Sequence, residues 1–252
     1  MASVGKLYVD GIYARFSYLA TWLPNSNLKL GDVGVHQGAE FKQMTTLKDL
    51  AIPFRVRKGV NSVDFSCTSE SGVTVKTKVA GEAIAGTALP LGSVGMSIQF
   101  SRQGAFLFHA AQCIADEIDD KAALGQAVIS LVKSGRWEPG WAVIDTVVRA
   151  GTATIVVSNS GSAGLDLTVK TPEALANLAN LEGGFSVASQ SGDILQFIAA
   201  KGLAPLFRLS RVKQSLVSRL LGRTSAITFG GPTLDEDPVV SDEEPFESVA
   251  PR

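Results

Sequence analysis

The sequence predicts an α+β fold: a twisted, mostly antiparallel sheet with a few packed helices. Three observations point to it. Short runs at 63–70, 73–80 and 96–101 alternate apolar and polar residues, and a period of two marks a strand with one wet face. Helical spacing is rarer and clearest at 121–134. The 25 glycines stand among Val, Thr and Ser in alternating runs, a composition that leans toward strands. At 252 residues, 45% hydrophobic and 19% charged, the chain can bury a proper core, which excludes an intrinsically disordered protein.

In order, 18–24 is apolar, Asn25-Ser26-Asn27 is a turn, and 28–36 alternates loosely. Gln37-Gly38 turns the chain into a strand at 41–44, and 45–50 starts a short helix capped by a threonine. In 63–70, Val63, Phe65 and Cys67 alternate with Asp64, Ser66 and Thr68. In 73–80, Val73, Val75 and Val79 alternate with Thr74, Lys76 and Lys78. Ser71-Gly72 joins these runs, which predicts a β-hairpin. Met96, Ile98 and Phe100 mark a third strand. Part of 105–118 reads as helix. A better helix is 121–134, with Leu124, Val128 and Leu131 on one face and Gly135 as its stop.

The run 141–150 is apolar on both faces, as in a central strand. Strands at 152–158 and 165–170 flank a Gly/Ser turn, 159–164, and 172–181 has the composition of a short helix with Pro172 in its first turn. Strands at 185–189 and 194–199 follow. Residues 206–223 read as a basic amphipathic helix, with Leu209, Val212, Leu216 and Leu220 opposite Arg211, Lys213 and Arg219. After Gly222 the composition shifts to Pro, Asp, Glu and Ser. This predicts a folded body, 1–223, and an acidic tail, 224–252, that is flexible or weakly docked.

The formal net charge of −1 conceals a split. The tail carries Asp235, Glu236, Asp237, Asp242, Glu243, Glu244 and Glu247 against Arg252 alone, a net −6; the body keeps 22 basic and 17 acidic residues, a net +5. Such asymmetry suggests a basic surface that meets an anionic partner, with the tail as an internal competitor. No acidic residue interrupts 194–234, while Lys201, Arg208, Arg211, Lys213, Arg219 and Arg223 are present. That stretch attracts phosphate. Stacking aromatics are not interleaved with it, beyond Phe207, so nucleic acid is not expected and an anionic membrane surface is the better functional match. The same pattern also serves an ordinary surface helix packed on the sheet.

Cys67 and Cys113 lie far apart in apolar contexts, which excludes a disulfide framework and a cysteine-based zinc site and suits a reducing cytosol. The N-terminal MASVGKLYVDG has no apolar core of signal-peptide length. The charge-free run 83–101 contains Gly86, Pro90, Gly92 and Gly95, unsuited to a spanning helix. The expectation is a chain that is soluble and cytoplasmic as made. HExxH, GxSxG, Walker A and GxGxxG motifs are all missing. His109 with Cys113 makes a nucleophilic pair only on paper, since no orienting acid accompanies it, and His36 sits beside a turn. Asp116, Glu117, Asp119 and Asp120 lack the spacing of a calcium loop. Neither cofactor nor metal is expected, and the chain does not read as an enzyme.

The order of elements resembles the pore-forming domain of gasdermins, colinearly over roughly 18–212. FKQMTTLKDL (41–50) resembles that family's strand running into a short helix. VDFSCTSESGVTVKTKVAGEAIAGTALPLGSVGMSIQF (63–100) is similar to its strand, turn, long strand and Gly/Ala/Ser-rich passage into another strand. AVISLVKSGRWEPGWAVIDTVVRAGTATIVVS (127–158) is similar to its helix and following strand, and SGDILQFIAAKGLAPLFRL (191–209) resembles its closing strand and loop. The length matches bacterial and fungal forms, in which a short C-terminal tail holds the domain inactive until a protease removes it. Bacterial members commonly carry an acylated cysteine near the N-terminus; this chain has Ala2 and Ser3 there.

The resemblance implies a gasdermin N-terminal-like fold and a cytoplasmic, monomeric precursor. Cut by an activating protease, it would move to the inner membrane, bind anionic lipids and form a homo-oligomeric pore that kills its own cell, in bacterial relatives as phage defence. The hairpin regions implied are 61–108 and 151–190, with Lys76 and Lys78 facing the lumen. Arg223, alternatively Arg219, is the expected cleavage site. Ile227, Phe229, Asp235, Glu236 and Asp237 are the expected inhibitory tail residues, and Lys201, Arg208, Arg211, Lys213 and Arg219 the expected membrane contacts. The alternatives are a soluble interaction or lipid-binding module that docks an acidic partner through 206–223 without refolding, and an enzyme built around His36 or His109.

Overall fold

The computed structural model describes residues 2–24, 27–78, 94–169, 185–213, 215–218 and 245–251. The chain opens with a helix, α1 (Val4–Phe16), which the glycines at 5 and 11 obscure in the sequence. Ser3 caps it by accepting from the Lys6 amide at 3.2 Å, and Ser17 ends it in the left-handed conformation, donating its amide to the Tyr13 carbonyl at 2.8 Å. Gly5, Tyr8, Val9 and Ile12 form its buried face.

Strands β1 (Leu19–Ala20), β2 (Asp32–Gln37), β3 (Glu40–Thr46), β4 (Val56–Arg57), β5 (Val63–Thr68), β6 (Val73–Lys78), β7 (Val94–Phe100) and β8 (Phe106–Ile118) follow. Then come α2 (Lys121–Lys133), β9 (Ala142–Arg149), β10 (Thr152–Ser158), β11 (Ala163–Val169), β12 (Phe185–Ser191), β13 (Ile194–Lys201), β14 (Leu206–Val212) and β15 (Phe246–Ser248). The α+β fold with a dominant antiparallel sheet stands as expected.

Two sheets hold these strands. The larger runs β1-β14-β9-β8-β10-β13, with β2 on β9 and β3 on β2, β4 and β5 on β8, and β15 on β14; the smaller runs β12-β11-β7-β6. Every strand pairing among the described residues is antiparallel. The larger sheet is covered on both sides. α1 lays Tyr8, Val9 and Ile12 against Phe108, Ile144, Val147, Ile155 and Phe207. α2, capped by the Asp120 carboxylate on the Ala123 amide at 2.9 Å, packs Leu124, Val128 and Ile129 with Val33, Ile118, Val143 and Val212. Such two-faced burial explains why 141–150 shows no alternation. The smaller sheet has a core of its own: Met96, Ile98, Phe100, Leu165 and Leu167 against Leu107, Val156 and Ile194.

Four local expectations are corrected and one is sharpened. Residues 45–46 end β3 and 47–51 form turns, not a helix, with the Thr46 hydroxyl accepting from the Asp49 amide at 3.1 Å. Ser71-Gly72 does not close a hairpin: β5 pairs with β8 and β6 with β7, so the dipeptide turns a corner between sheets. Residues 105–118 contain a strand, not a helix. It is central, and Gln112 (φ 52°) shifts its phase, which erases the period of two. Residues 206–212 are likewise strand; β9 holds an extra residue opposite the step from Arg208 to Leu209, and only 215–218 are helical among the described residues that follow. Finally, the end of the tail is docked, as described below. The short helix expected at 172–181 lies outside the described residues.

Candidate functional site

Pairing registers show what the corner builds. β5 leads into β6 and β7 into β8; β5 pairs with β8 and β6 with β7, so 63–78 and 94–113 form one long, bent hairpin. β10 leads into β11 and β12 into β13 in the same way, which makes 152–169 and 185–201 a second. The two lie side by side through β8–β10 and β7–β11. Both bend along one line. There, Ser69 donates its amide to the Phe106 carbonyl at 3.0 Å, Ser101 to Gly72 at 2.9 Å, Gly104 to Ser158 at 2.8 Å and Asn159 to Asp193 at 2.8 Å. The hydroxyls of Ser69, Ser158 and Ser160 donate to the carbonyls of Ser71, Ser160 and Ser162. Gly192 turns at φ +73°, where a Cβ would lie 2.5 Å from the Ser162 carbonyl oxygen, so the bend needs glycine there.

Beyond the bend, the registers sort the smaller sheet into two chemically distinct faces. Val75, Ile98, Leu165 and Gln190 stand in one row, and Thr77, Met96, Leu167 and Val187 in the next on that face, which is apolar at its centre and polar at one end of each row. Thr74, Gln99 and Gly164 make one row of the opposite face, and Lys76, Ser97, Asp166 and Ser189 make another. The apolar face is the one buried on the larger sheet. Lys76 is exposed, and Lys78 ends β6 opposite Gly95.

A second feature couples the tail to the body. β15 pairs with Ser210, Arg211 and Val212 of β14, on the edge that β1 occupies at Leu206 and Phe207. Phe246 is 6% exposed and joins Val128, Val132, Val212 and Val217. Glu247 accepts from Arg211 Nη2 at 2.6 Å, the Lys213 amide donates to the Pro245 carbonyl at 3.1 Å, and the Val249 amide to Leu209 at 3.1 Å. Pro245 sits flush on α2, where a Cβ on Gly125 would come within 2.4 Å of it. Of the two expectations for the tail, flexible or weakly docked, residues 245–249 take the second, and neither Phe246 nor Glu247 is among the expected inhibitory residues.

The expected membrane contacts do not form one face. Arg208 lies over the Tyr18 ring at 4.0 Å, Arg211 is largely buried by Glu247, and Lys201 is exposed at the far end of β13. Arg219, Arg223, Ile227, Phe229, Asp235, Glu236 and Asp237 lie outside the described residues.

Burial pushes the Cys67 thiol up to about 11 and the Cys113 thiol up to about 12, the opposite of nucleophile activation. It holds both His36 and His109 below the ordinary histidine value, and neither ring nitrogen of His109 has a hydrogen-bond partner. Buried Asp145 is satisfied by Thr146, Ser210 and Lys121, tying β9 to β14 and α2. A cleft of about 630 Å³ is lined by Leu30, Ile52, Pro53, Phe54, Lys29 and Lys48 among others, with neither His nor Cys. Among the described residues no cluster of three metal-ligating side chains occurs, and no helix is long and apolar enough to cross a membrane. No protein-family model matches the chain, and comparison with curated proteins gives no significant match.

Proposed function

We propose that the chain is the inactive precursor of a gasdermin-like pore-forming protein, whose two bent hairpins straighten and insert once the C-terminal tail is removed. The observation that carries this reading is the smaller sheet: four adjacent antiparallel strands with one apolar and one polar face. A membrane barrel wall has that composition, apolar toward lipid and polar toward the lumen, where Lys76 and Lys78 would lie. Residues 73–100 and 163–191 number 28 and 29, enough for two strands of about 9–11 residues and a turn. Open edges cannot stay unpaired in hydrocarbon. With the order β12-β11-β7-β6, joining β6 of one copy to β12 of the next keeps every pair antiparallel, so a ring of copies closes without a break in pattern.

The same reading makes β15 the latch and a protease the activator, with a cut near Arg223 or Arg219 and anionic inner-membrane lipids as the target. Loss of the tail changes the body from part of a −1 chain to +5, favouring anionic surfaces. Dye release from anionic vesicles tests it: the full chain should be silent, and the chain cut after Arg223 should leak. Equal release by both, or none by the cut chain, overturns the reading.

A further inference from the structure

Dispersal of Lys201, Arg208 and Arg211 leaves the question of which surface meets lipid, and another margin of the larger sheet has the chemistry for it. Several of the exposed large apolar side chains gather there: Val56 on β4, Val60 in the loop after it, Val63 at the start of β5 and Ile114 on β8. Val60 is 92% exposed. The loop is pressed onto β8 at Gly59, where a Cβ would meet the Ala115 carbonyl oxygen at 2.5 Å and Ile114 Cγ2 at 2.8 Å. Its position is therefore fixed.

Charge around these side chains is sorted by depth. Arg55 and Lys58 are each 77% exposed, and Arg57 and Arg149 are at least half exposed. The carboxylates that hold them are less exposed: Asp116, 5% exposed, holds Arg149 and Lys58, while Glu117 and Asp119, 35% and 37% exposed, hold Arg57 at 3.3 and 3.0 Å. The cations stand further out than their partners, with valines between them in the sequence. A free phosphate would need donors free to converge on it, but Lys58 and Arg149 share Asp116, and Arg55 and Arg57 share Asp119. Single-stranded nucleic acid would need stacking rings, and 55–63 contains none.

We propose that residues 55–63, with Ile114 and Arg149, form a docking surface for an anionic bilayer, on which the uncut chain rests before activation. Cations at the headgroup level and short apolar side chains just below it are the pattern of an interfacial anchor. The proposal rests on the pore-forming reading for its purpose, but β15 does not touch this margin, so docking does not await cleavage.

Co-flotation of the full chain with vesicles tests it. Binding is expected to phosphatidylglycerol/phosphatidylethanolamine vesicles and not to phosphatidylcholine vesicles, and should fall as salt rises. Val60→Asp, at a position too exposed to disturb folding, should weaken it about tenfold. Arg57→Gln with Lys58→Gln should do the same, with circular dichroism unchanged. No flotation, equal flotation on both vesicles, or flotation untouched by these substitutions overturns the proposal. So does binding of a fluorescent oligonucleotide that the same substitutions remove, without flotation. Failure is distinguishable from failure of the pore: a chain that floats but never leaks after cutting loses the pore and keeps the dock. One that leaks normally with Val60→Asp loses the dock and keeps the pore.

Discussion

The larger and smaller sheets share four continuous chain crossings yet are held in different ways. The larger is packed on both faces, by α1 through Tyr8 and Ile12 and by α2 through Leu124 and Val128. The smaller buries one face, through Met96, Ile98, Leu165 and Leu167, and offers polar side chains on the other. Two-faced burial makes a platform with no alternative use. One-faced burial makes a surface that any apolar medium can satisfy, whether Leu107 and Val156 or a lipid chain. Stability need not be uniform across such a chain. Hydrogen exchange is expected to release the amides of β6, β7, β11 and β12 before those of β8, β9 and β14.

The strongest way to break this contrast is a charge on the apolar face. Ile98→Asp places a carboxylate at a fully buried position and should cost about 3–5 kcal/mol, read by urea unfolding, and abolish leakage by the cut chain. The matching Ile144→Asp in the larger sheet should leave no folded chain. If both give one identical cooperative transition, the sheets are a single unit and the contrast fails. Next in size is Phe246→Ala, which empties a core position and should remove about 3 kcal/mol from tail docking; the uncut chain is then expected to release dye.

A smaller change sharpens the role of the bend. Gly192→Ala penalises φ +73° by about 1 kcal/mol in the bent hairpin and by little in an extended one. The melting temperature should drop and leakage after cutting should begin sooner; slower leakage would show that the bend persists in the pore. Acid probes the larger sheet, which holds both histidines. Burial depresses His109, opposed by Asp64, and His36, opposed by Asp10 and reinforced by Lys6. A histidine with a depressed folded value gives its full stability above the unfolded value of about 6.5 and loses it as pH falls below that. Denaturant midpoints should decline from there, and less steeply in His109→Gln. The least stability effect belongs to Lys76→Glu on the polar face, within about 0.5 kcal/mol; its readout is the ion selectivity of the conducting pore, which should move toward cations.

Much of the smaller sheet was legible because its strands have one apolar face: Val73/Val75 and Met96/Ile98/Phe100 alternate visibly in the sequence. The central strand at 141–150 was legible by its unbroken apolarity. The fully buried strand at 152–158 was read as well, but two other buried strands were not. In 106–118, burial on both faces and the phase change at Gln112 imitate a helix. In 206–212, Leu206, Leu209 and Val212 fall at helical intervals because both faces of the strand are covered. Ser71-Gly72 carries an ordinary hairpin turn signal, and sequence alone does not show that each strand already has a partner elsewhere. α1 was hidden by two glycines that let Trp22 and Phe106 approach it. The hairpin region 61–108 covers β5, β6, β7 and the start of β8, whereas 151–190 stops short of β13. The latch was missed because Phe246 is a single aromatic residue in an acidic stretch, with too short a strand to show a period.

The position of β15 has a kinetic consequence. Twenty-six residues, 219–244, separate the last described residue of the 215–218 turn from Pro245. A cut at Arg219 or Arg223 severs the covalent tether and touches none of the contacts that Pro245, Phe246, Glu247 and Val249 make. On the proposed reading, proteolysis and release are therefore separate events, and the interval between them is a dissociation time. That interval is independent of protease concentration once cutting is complete. It lengthens whenever freed tails are abundant enough to rebind, so a crowded population of nicked chains restrains itself and a dilute one does not.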